Sequence, residues 1–317
     1  MMRRKIMLLV ALMISVGMIL VACGGESTNN QEESASESSN EGTANNDGEE
    51  QEEFKFQIGH TTTTANQQHV AAEKLAELLE EKTNGSITMD VFELAQLGGE
   101  VEMIQALQEG TSAMTVTSHA AMTNFVPEWS VFDLPYLFDS TEQVIAVMDE
   151  IGDTFFDMLP EHGLKGLTWI APVERNIYST SPIESVDDLQ GFTVRVIQAP
   201  GFVEAYSALG ANPVDMSGDE VYTALQQGVV DGSVNAPDLF MNFGHYEVAK
   251  YYNLTRMHYL PTSIVMSLDI WEQLSPEQQN AVMEAADEAA EYAIEHNYKV
   301  YDEAFERMEA EGIEVVT

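Results

Sequence analysis

Apolar and polar residues alternate along Phe54–His60 (FKFQIGH), the period of a strand with one face buried. The period then changes. Gln67–Glu81 (QQHVAAEKLAELLEE) places its apolar residues at helical spacing until Asn84-Gly85 stops it. Ser86–Phe92 (SITMDVF) alternates again as a second strand. Strand, helix and strand within about forty residues form a βαβ unit, which favours a parallel sheet with helices on its faces. Ligands of such sheets gather at the carboxyl ends of the strands, so the loop His60–Asn66 is a candidate pocket wall, with His60 its first residue.

The same reading extends along the chain. Gln96–Glu100 (QLGGE) opens a helix that runs through Gln108 to Gly110, and Ala113–Thr117 follows as a strand. Val131–Phe138 reads as an apolar strand closed by proline. Ser140–Leu159 is a helix with Val144, Ile145, Val147, Met148, Ile151 and Phe155 facing inward, and Leu164–Ile170 is the next strand. Phe192, Val194 and Val196 alternate with Thr193, Arg195 and Ile197, and this strand leads through Pro200-Gly201 into a helix. Tyr259–Ser267 is a further strand. Ser275, Pro276 and Gln278 form a helix start, with serine as N-cap and a glutamine for the capping box. That helix runs to about Glu311, roughly 50 Å at 1.5 Å per residue, long enough to brace two lobes.

The first fifty residues follow other rules. Arg3, Arg4 and Lys5 precede an apolar run from Ile6 to Ala22, and Leu20-Val21-Ala22 leads to Cys23, the single cysteine of the chain. These are the marks of a secretory leader, and a cysteine at its end resembles a lipobox whose thiol is lipidated. Residues 1–22 are therefore expected to be a lipoprotein signal peptide. Residues 23–53, with no basic and no aromatic residue, are expected to be an acidic tether that cannot bury enough apolar surface to order itself. The protein is then extracytoplasmic, held at the membrane through Cys23. The formal charge is −40, and loss of the three basic leader residues takes it to −43. Such a charge argues against nucleic acid and anionic lipid as partners.

Cations are scarce, which makes their placement informative. Thirteen Lys+Arg stand against fifty-three Asp+Glu, and beyond the leader the arginines are Arg175, Arg195, Arg256 and Arg307. Arg195, on a strand end beside a Gly/Pro turn, calls for a fixed anionic partner, either an internal carboxylate or a bound ligand. Trp169 and Tyr178 flank Arg175, and an aromatic ring beside a cation can stack on a ligand or on the guanidinium, or simply fill the core. Enzyme motifs are missing: no G-x-x-x-x-G-K-[ST], G-x-G-x-x-G or H-E-x-x-H occurs, and the seven histidines lack metal-ligand spacing. Ser118 and His119 are adjacent, so on an extended chain they point opposite ways and do not form a catalytic pair.

The order of motifs resembles the receptor subunit of tripartite ATP-independent periplasmic (TRAP) transporters, the dicarboxylate-receptor type of solute-binding protein. Pro182-Ile183 through Asp188-Leu189 precedes Gly191–Val196, which matches a G-x-x-x-R-V strand. Leu209–Pro213, Glu220-Val221-Tyr222, Ala224-Leu225-Gln226, Gly228, Asp231-Gly232 and Asn235 follow in the family's order. Gln96-Leu97-Gly98, the F-x-L-P-Y segment Phe132–Tyr136, the Y-E-V-x-K-Y run Tyr246–Tyr251 and the later His258 extend the similarity from about Phe54 to the end.

The resemblance implies an α/β, two-lobed fold of the periplasmic-binding-protein type (type II-like), each lobe a mixed sheet flanked by helices, with a long C-terminal helix spanning both. Lobe I is expected over 54–172 plus 261–290, and lobe II over 173–260 plus 291–317. It implies a non-enzymatic receptor that closes around a small organic acid or zwitterion and delivers it to TRAP-type membrane permease subunits, with no cofactor. Arg195 would pair with the solute carboxylate, with Arg175, Asn235, Trp169, Ser118, His60 and Phe240 completing the site. The departures concern the solute: the family's D-G-x-E-N is Asp231–Asn235 with Val234 in place of the acid, and Gly218 stands where some relatives carry an aromatic residue. Other readings of the same grip are a ligand-sensing receptor for a signalling partner and a surface-anchored carbohydrate-active hydrolase or lyase.

Overall fold

The structure, a computed structural model, describes residues 52–317. The expected leader, Cys23 and all but the end of the expected tether lie outside the described residues. The first βαβ unit forms as the hydrophobic pattern requires: β1 (Phe54–Gly59), α1 (Gln67–Lys82) and β2 (Ile87–Phe92), with β1 and β2 parallel. Next come α2 (Glu100–Gln108), β3 (Met114–Ser118), α3 (His119–Met122), α4 (Thr141–Phe156), β4 (Leu164–Ser179), β5 (Thr193–Val196), α5 (Pro200–Ala208) and β6 (Asn212–Asp215). The chain continues through α6 (Val221–Gln226), β7 (Gly232–Asn235), α7 (Pro237–Asn242), β8 (Tyr251–Ser267), α8 (Leu268–Trp271), α9 (Pro276–Ala310) and β9 (Glu314–Val316).

The strands make one mixed sheet in the order β2-β1-β3-β8-β4-β7-β5-β6, with β9 beside β8. Two parallel groups, β2-β1-β3 and β7-β5-β6, flank the antiparallel pair of long strands β4 and β8. Sequence alone gave only the halves Leu164–Ile170 and Tyr259–Ser267 of these strands. On the first strand the reason is Pro172, while the second reading ran through Pro261 and missed only Tyr251–His258; pairing steps from Ile170 with Thr262 to Val173 with Leu260, so Ala171-Pro172 faces the single Pro261. Proline has no backbone N–H to give to a ladder, so it reads as an end and here is a bulge instead.

Helix α9 ties the two halves of the sheet together. Its N-terminal part packs Val282, Ala285, Ala286, Ala289, Ala290 and Ala293 against Ala71, Ala72, Leu75 and Leu79 of α1, and its C-terminal part puts Ala304 and Met308 in a second core with Tyr252 and Phe240. The alanine stripe lets α1 and α9 approach closely, so an added side chain such as Ala289→Leu would overpack the seam at a cost of about 1–3 kcal/mol. The start is fixed as the sequence predicts: Gln278 N–H donates to Ser275 Oγ (3.2 Å) and Ser275 N–H to Gln278 Oε1 (3.1 Å), a cap contributing about 1 kcal/mol.

The expected strand at Val131–Phe138 is not one. Residues Pro127–Asp133 form a 3-10 helix, and Tyr136 sits at a positive φ of 59°. Phe132 and Phe138 are buried while Leu134 and Tyr136 are exposed. Apolar composition imitated a buried strand, but Pro127 at the helix start and the burial of Asp133 beside His119 decide the local geometry.

Candidate functional site

The carboxyl ends of β1, β3, β5 and β7 converge on one cleft, the position that parallel strand groups favour for a ligand. Its empty volume is about 650 Å³, counting the part open to solvent. Arg175, Arg195, Asn235 and Glu100 line it, with Thr61 and Thr62 from the loop after β1 and Ser217 and Gly218 from the turn after β6.

Both guanidiniums are taken almost wholly out of water, Arg195 at 4% and Arg175 at 5% exposure. Neither has a carboxylate within ion-pair distance among the described residues. Arg195 instead donates from Nε (3.0 Å) and Nη2 (2.6 Å) to the Met216 carbonyl, which locks the side chain and leaves the Nη1–Nη2 end of the fork free. Arg175 donates from Nη2 to the Val234 carbonyl, and its Nε is buried with no hydrogen-bond partner. Burial, then the nearby Arg175, pushes Arg195 down to about 10, and burial lowers Arg175 as well. At neutral pH Arg195 therefore stays charged. An unpaired buried charge is costly unless something of opposite sign arrives.

Glu100 was not among the expected site residues, although it ends the Gln96–Glu100 motif. The turn before it holds Gly98 at φ 106°, a conformation glycine adopts without strain, and this sets Glu100 at the first position of α2. Ser118 donates to both its oxygens, from N–H to Oε1 (3.1 Å) and from Oγ to Oε2 (2.8 Å). Burial raises the pKa of this carboxyl, while the Ser118 hydrogen bonds and the charges of Arg175 and Arg195 pull it back.

The remaining expected residues are placed as follows. Asn235 lines the cleft, and its Oδ1 accepts from Ala236 N–H (3.0 Å). Ser118 acts one step behind the wall, through Glu100. His60 is also behind it: Thr62 N–H donates to Nδ1 (3.3 Å), so the neutral ring carries its proton on Nε2, 3.0 Å from His69 Nδ1. Burial lowers His60 to about 4. Trp169 lies outside the cleft, stacked on Phe156 (4.6 Å) and tilted against Trp129 (5.0 Å). Gly152 of α4 admits its indole, since a Cβ there would fall 2.5 Å from Nε1. Phe240 is core, 4.8 Å from Tyr178 and 5.3 Å from Tyr252, and its neighbours Leu239 and Phe243 supply the apolar wall. The chain departures also have places: Val234 is buried and offers its carbonyl to Arg175, and a Cβ on Gly218 would come 3.9 Å from Arg195 Nη2.

Residues 58–317 match the DctP family, described as bacterial extracellular solute-binding protein, family 7. The chain belongs to this family. Among its relatives is the C4-dicarboxylate-binding protein DctB of Bacillus subtilis, 30% identical over 76% of this chain and 70% of that protein. Solved structures agree: a TRAP periplasmic solute-binding protein of Pseudomonas putida with bound D-glucuronate superposes with a TM-score of 0.81 at 32% identity, covering 83% of this chain and 87% of that one. Another, from a Sulfitobacter species with bound β-D-galacturonate, gives 0.81 at 30% identity over 83% and 88%. This DctP-family chain is therefore an extracytoplasmic, non-enzymatic solute-binding protein of the TRAP type, with the periplasmic-binding-protein-like α/β fold and a long C-terminal helix. Ser118 and His119 accordingly serve no catalytic pair: the first bonds Glu100 and the second puts Nε2 2.9 Å from Asp133 Oδ1.

Proposed function

We propose that this receptor captures a sugar acid or another small carboxylate between two lobes, with Arg195 gripping the carboxylate, and hands it to TRAP permease subunits. The observation that carries the reading is a pair of buried guanidiniums that share one cleft and have no carboxylate partner of their own among the described residues. Arg195 presents the Nη1–Nη2 edge for a bidentate pair, a geometry lysine cannot supply. Arg175 and the Asn235 amide complete the polar side, and Leu239, Phe243 and Leu260 form the apolar one. The relatives that hold D-glucuronate and β-D-galacturonate support a uronate-like solute.

The lobes are taken as 54–172 plus 261–290 and 173–260 plus 291–317. Supporting this division, Pro172 and Pro261 face each other on the two long strands where one span ends and the other begins. Closure brings the N-cap of α1 to α7, where Asn66 Nδ2 donates to Asp238 Oδ2 at 2.8 Å. Solute binding shifts the open and closed populations by its differential affinity for the closed form. The lipid anchor at Cys23 keeps the receptor beside its permease.

A thermal-shift screen of small carboxylates tests the capture: a solute at 100 times its dissociation constant adds roughly 2.7 kcal/mol of stability. Calorimetry on Arg195→Lys should show at least about a tenfold loss of affinity, or 1.4 kcal/mol. Wild-type affinity in that variant would count against the arginine grip.

A further inference from the structure

Charge in the cleft is counted in single units. Arg175 and Arg195 bring two positive charges and Glu100 brings one negative charge when ionised. The hydrogen bonds around Glu100 favour that ionised form. The Ser118 backbone N–H can only donate, so Oε1 is an acceptor, and Ser118 Oγ donates to Oε2 (2.8 Å) while accepting from Ala121 N–H (3.3 Å). Both carboxyl oxygens are thus acceptors, and the net charge offered to a solute is one.

From this we infer that Glu100 is a charge filter: its carboxylate on the cleft wall reserves the two-arginine site for solutes with one carboxylate and disfavours those with two. The inference rests on the carboxylate-capture reading above and narrows it to monocarboxylate sugar acids. A monocarboxylate leaves the closed cleft neutral. A second solute carboxylate meets either Glu100 directly or an already satisfied arginine pair, and in a site of low dielectric one unmatched charge is expensive.

The groups that face the Glu100 carboxyl are Ser118 from β3, Arg175 from β4 and Arg195 from β5. His245 and His258, which sense the same arginines, are held neutral by burial, both near 3, and Asp219 reaches Arg195 from an exposed turn. Among the described residues that line the cleft, Glu100 is then the one group whose charge acid can remove while the arginines keep theirs. Burial has already raised its pKa.

The test uses two acids with the same six-carbon polyhydroxy chain, D-gluconate with one carboxylate and D-glucarate with two. Calorimetry on the full-length protein should show gluconate bound at least about tenfold more tightly than glucarate. Glu100→Gln keeps a hydrogen-bond acceptor for Ser118 and should shrink that ratio at least tenfold, or 1.4 kcal/mol. Acidification within the range where both solutes stay ionised should narrow the wild-type ratio and leave that of Glu100→Gln unchanged. Tighter glucarate than gluconate in the wild type overturns the filter, and if Glu100→Gln does not fold, this ratio and its pH dependence decide alone. An unchanged ratio in a folded Glu100→Gln also overturns it, while the capture reading stands. Binding of neither acid, nor of D-glucuronate, overturns the narrowing to monocarboxylate sugar acids, and the capture reading falls with it only if the screen of small carboxylates also finds no ligand.

Discussion

Ser118 and His119 are neighbours in sequence and belong to two different buried polar clusters. Ser118 bonds Glu100 on the wall of the cleft, beside Arg175 and Arg195. His119 turns the other way, onto Asp133, wrapped by Phe132 (5.5 Å) and Phe202 (6.3 Å), with His258 Nε2 donating to the Asp133 carbonyl (3.1 Å). The second cluster pairs its charged group with a ring of its own chain. The first sets two cations beside a single carboxylate, Glu100, and so stays one anion short. Interior polar groups that find their partners at home rigidify a fold, whereas a preorganised site left short of one anion is built for something that arrives from outside.

Changes in conditions and sequence should separate the two clusters, beginning with the largest effect. Acid should strike stability first, through His258, His245 and His60. Burial lowers these rings from the ordinary 6.5 to about 3, about 3 and about 4. Because the unfolded chain then binds protons that the folded one refuses, stability holds above pH 6.5. It falls below that, by up to about 1.4 kcal/mol per pH unit for each ring, until pH passes the folded value. Denaturant midpoints measured between pH 7 and 5 should trace this fall; a flat profile would show that the rings accept protons in place.

Trp169→Ala comes next. Loss of a packed indole beside Phe156 and Trp129 should cost about 3–5 kcal/mol of stability, and solute affinity measured on the folded fraction should not change. An affinity loss would put this ring back in the site.

Arg195→Ala should do the reverse. Affinity should fall by about 2–5 kcal/mol, and the ligand-free protein should melt no lower than the wild type, because removal also relieves an unpaired buried charge. A large drop in melting temperature without solute would mean that the Met216 carbonyl contact is structural. Asp133→Ala, the smallest of the series, should lower stability by about 1–3 kcal/mol by leaving His119 and its surroundings unsatisfied, with affinity unchanged by calorimetry.

Much of the frame was legible because local rules set it. The period of Phe54–Phe92 required a βαβ unit, and Ser275-Pro276 with Gln278 fixed where α9 begins. Arg195 drew notice because arginine is scarce and its strand leaves it little room to reach water. Other features were invisible for definite reasons. The first long strand was read only to Ile170 because Pro172 looks like an end until it is seen to face Pro261 across a bulge. Trp169 flanks Arg175 in sequence, yet Gly152 of a distant helix opens a slot that takes the ring away from the cleft. Glu100 was one carboxylate among many until Ser118 and two arginines were brought around it.

Sequence by itself determined the period of each element, the ends that carry capping residues, the shortage of cations and the order of motifs that marks the family. These are properties of neighbouring residues or of composition, and they survive without a fold. Tertiary structure alone decided which of two adjacent side chains bonds the carboxylate on the cleft wall, that the arginines bond carbonyls and have no carboxylate within ion-pair distance among the described residues, and that one glutamate stands beside them. Electrostatic partnership depends on distances of a few ångströms between residues far apart in the chain, and only packing sets those distances.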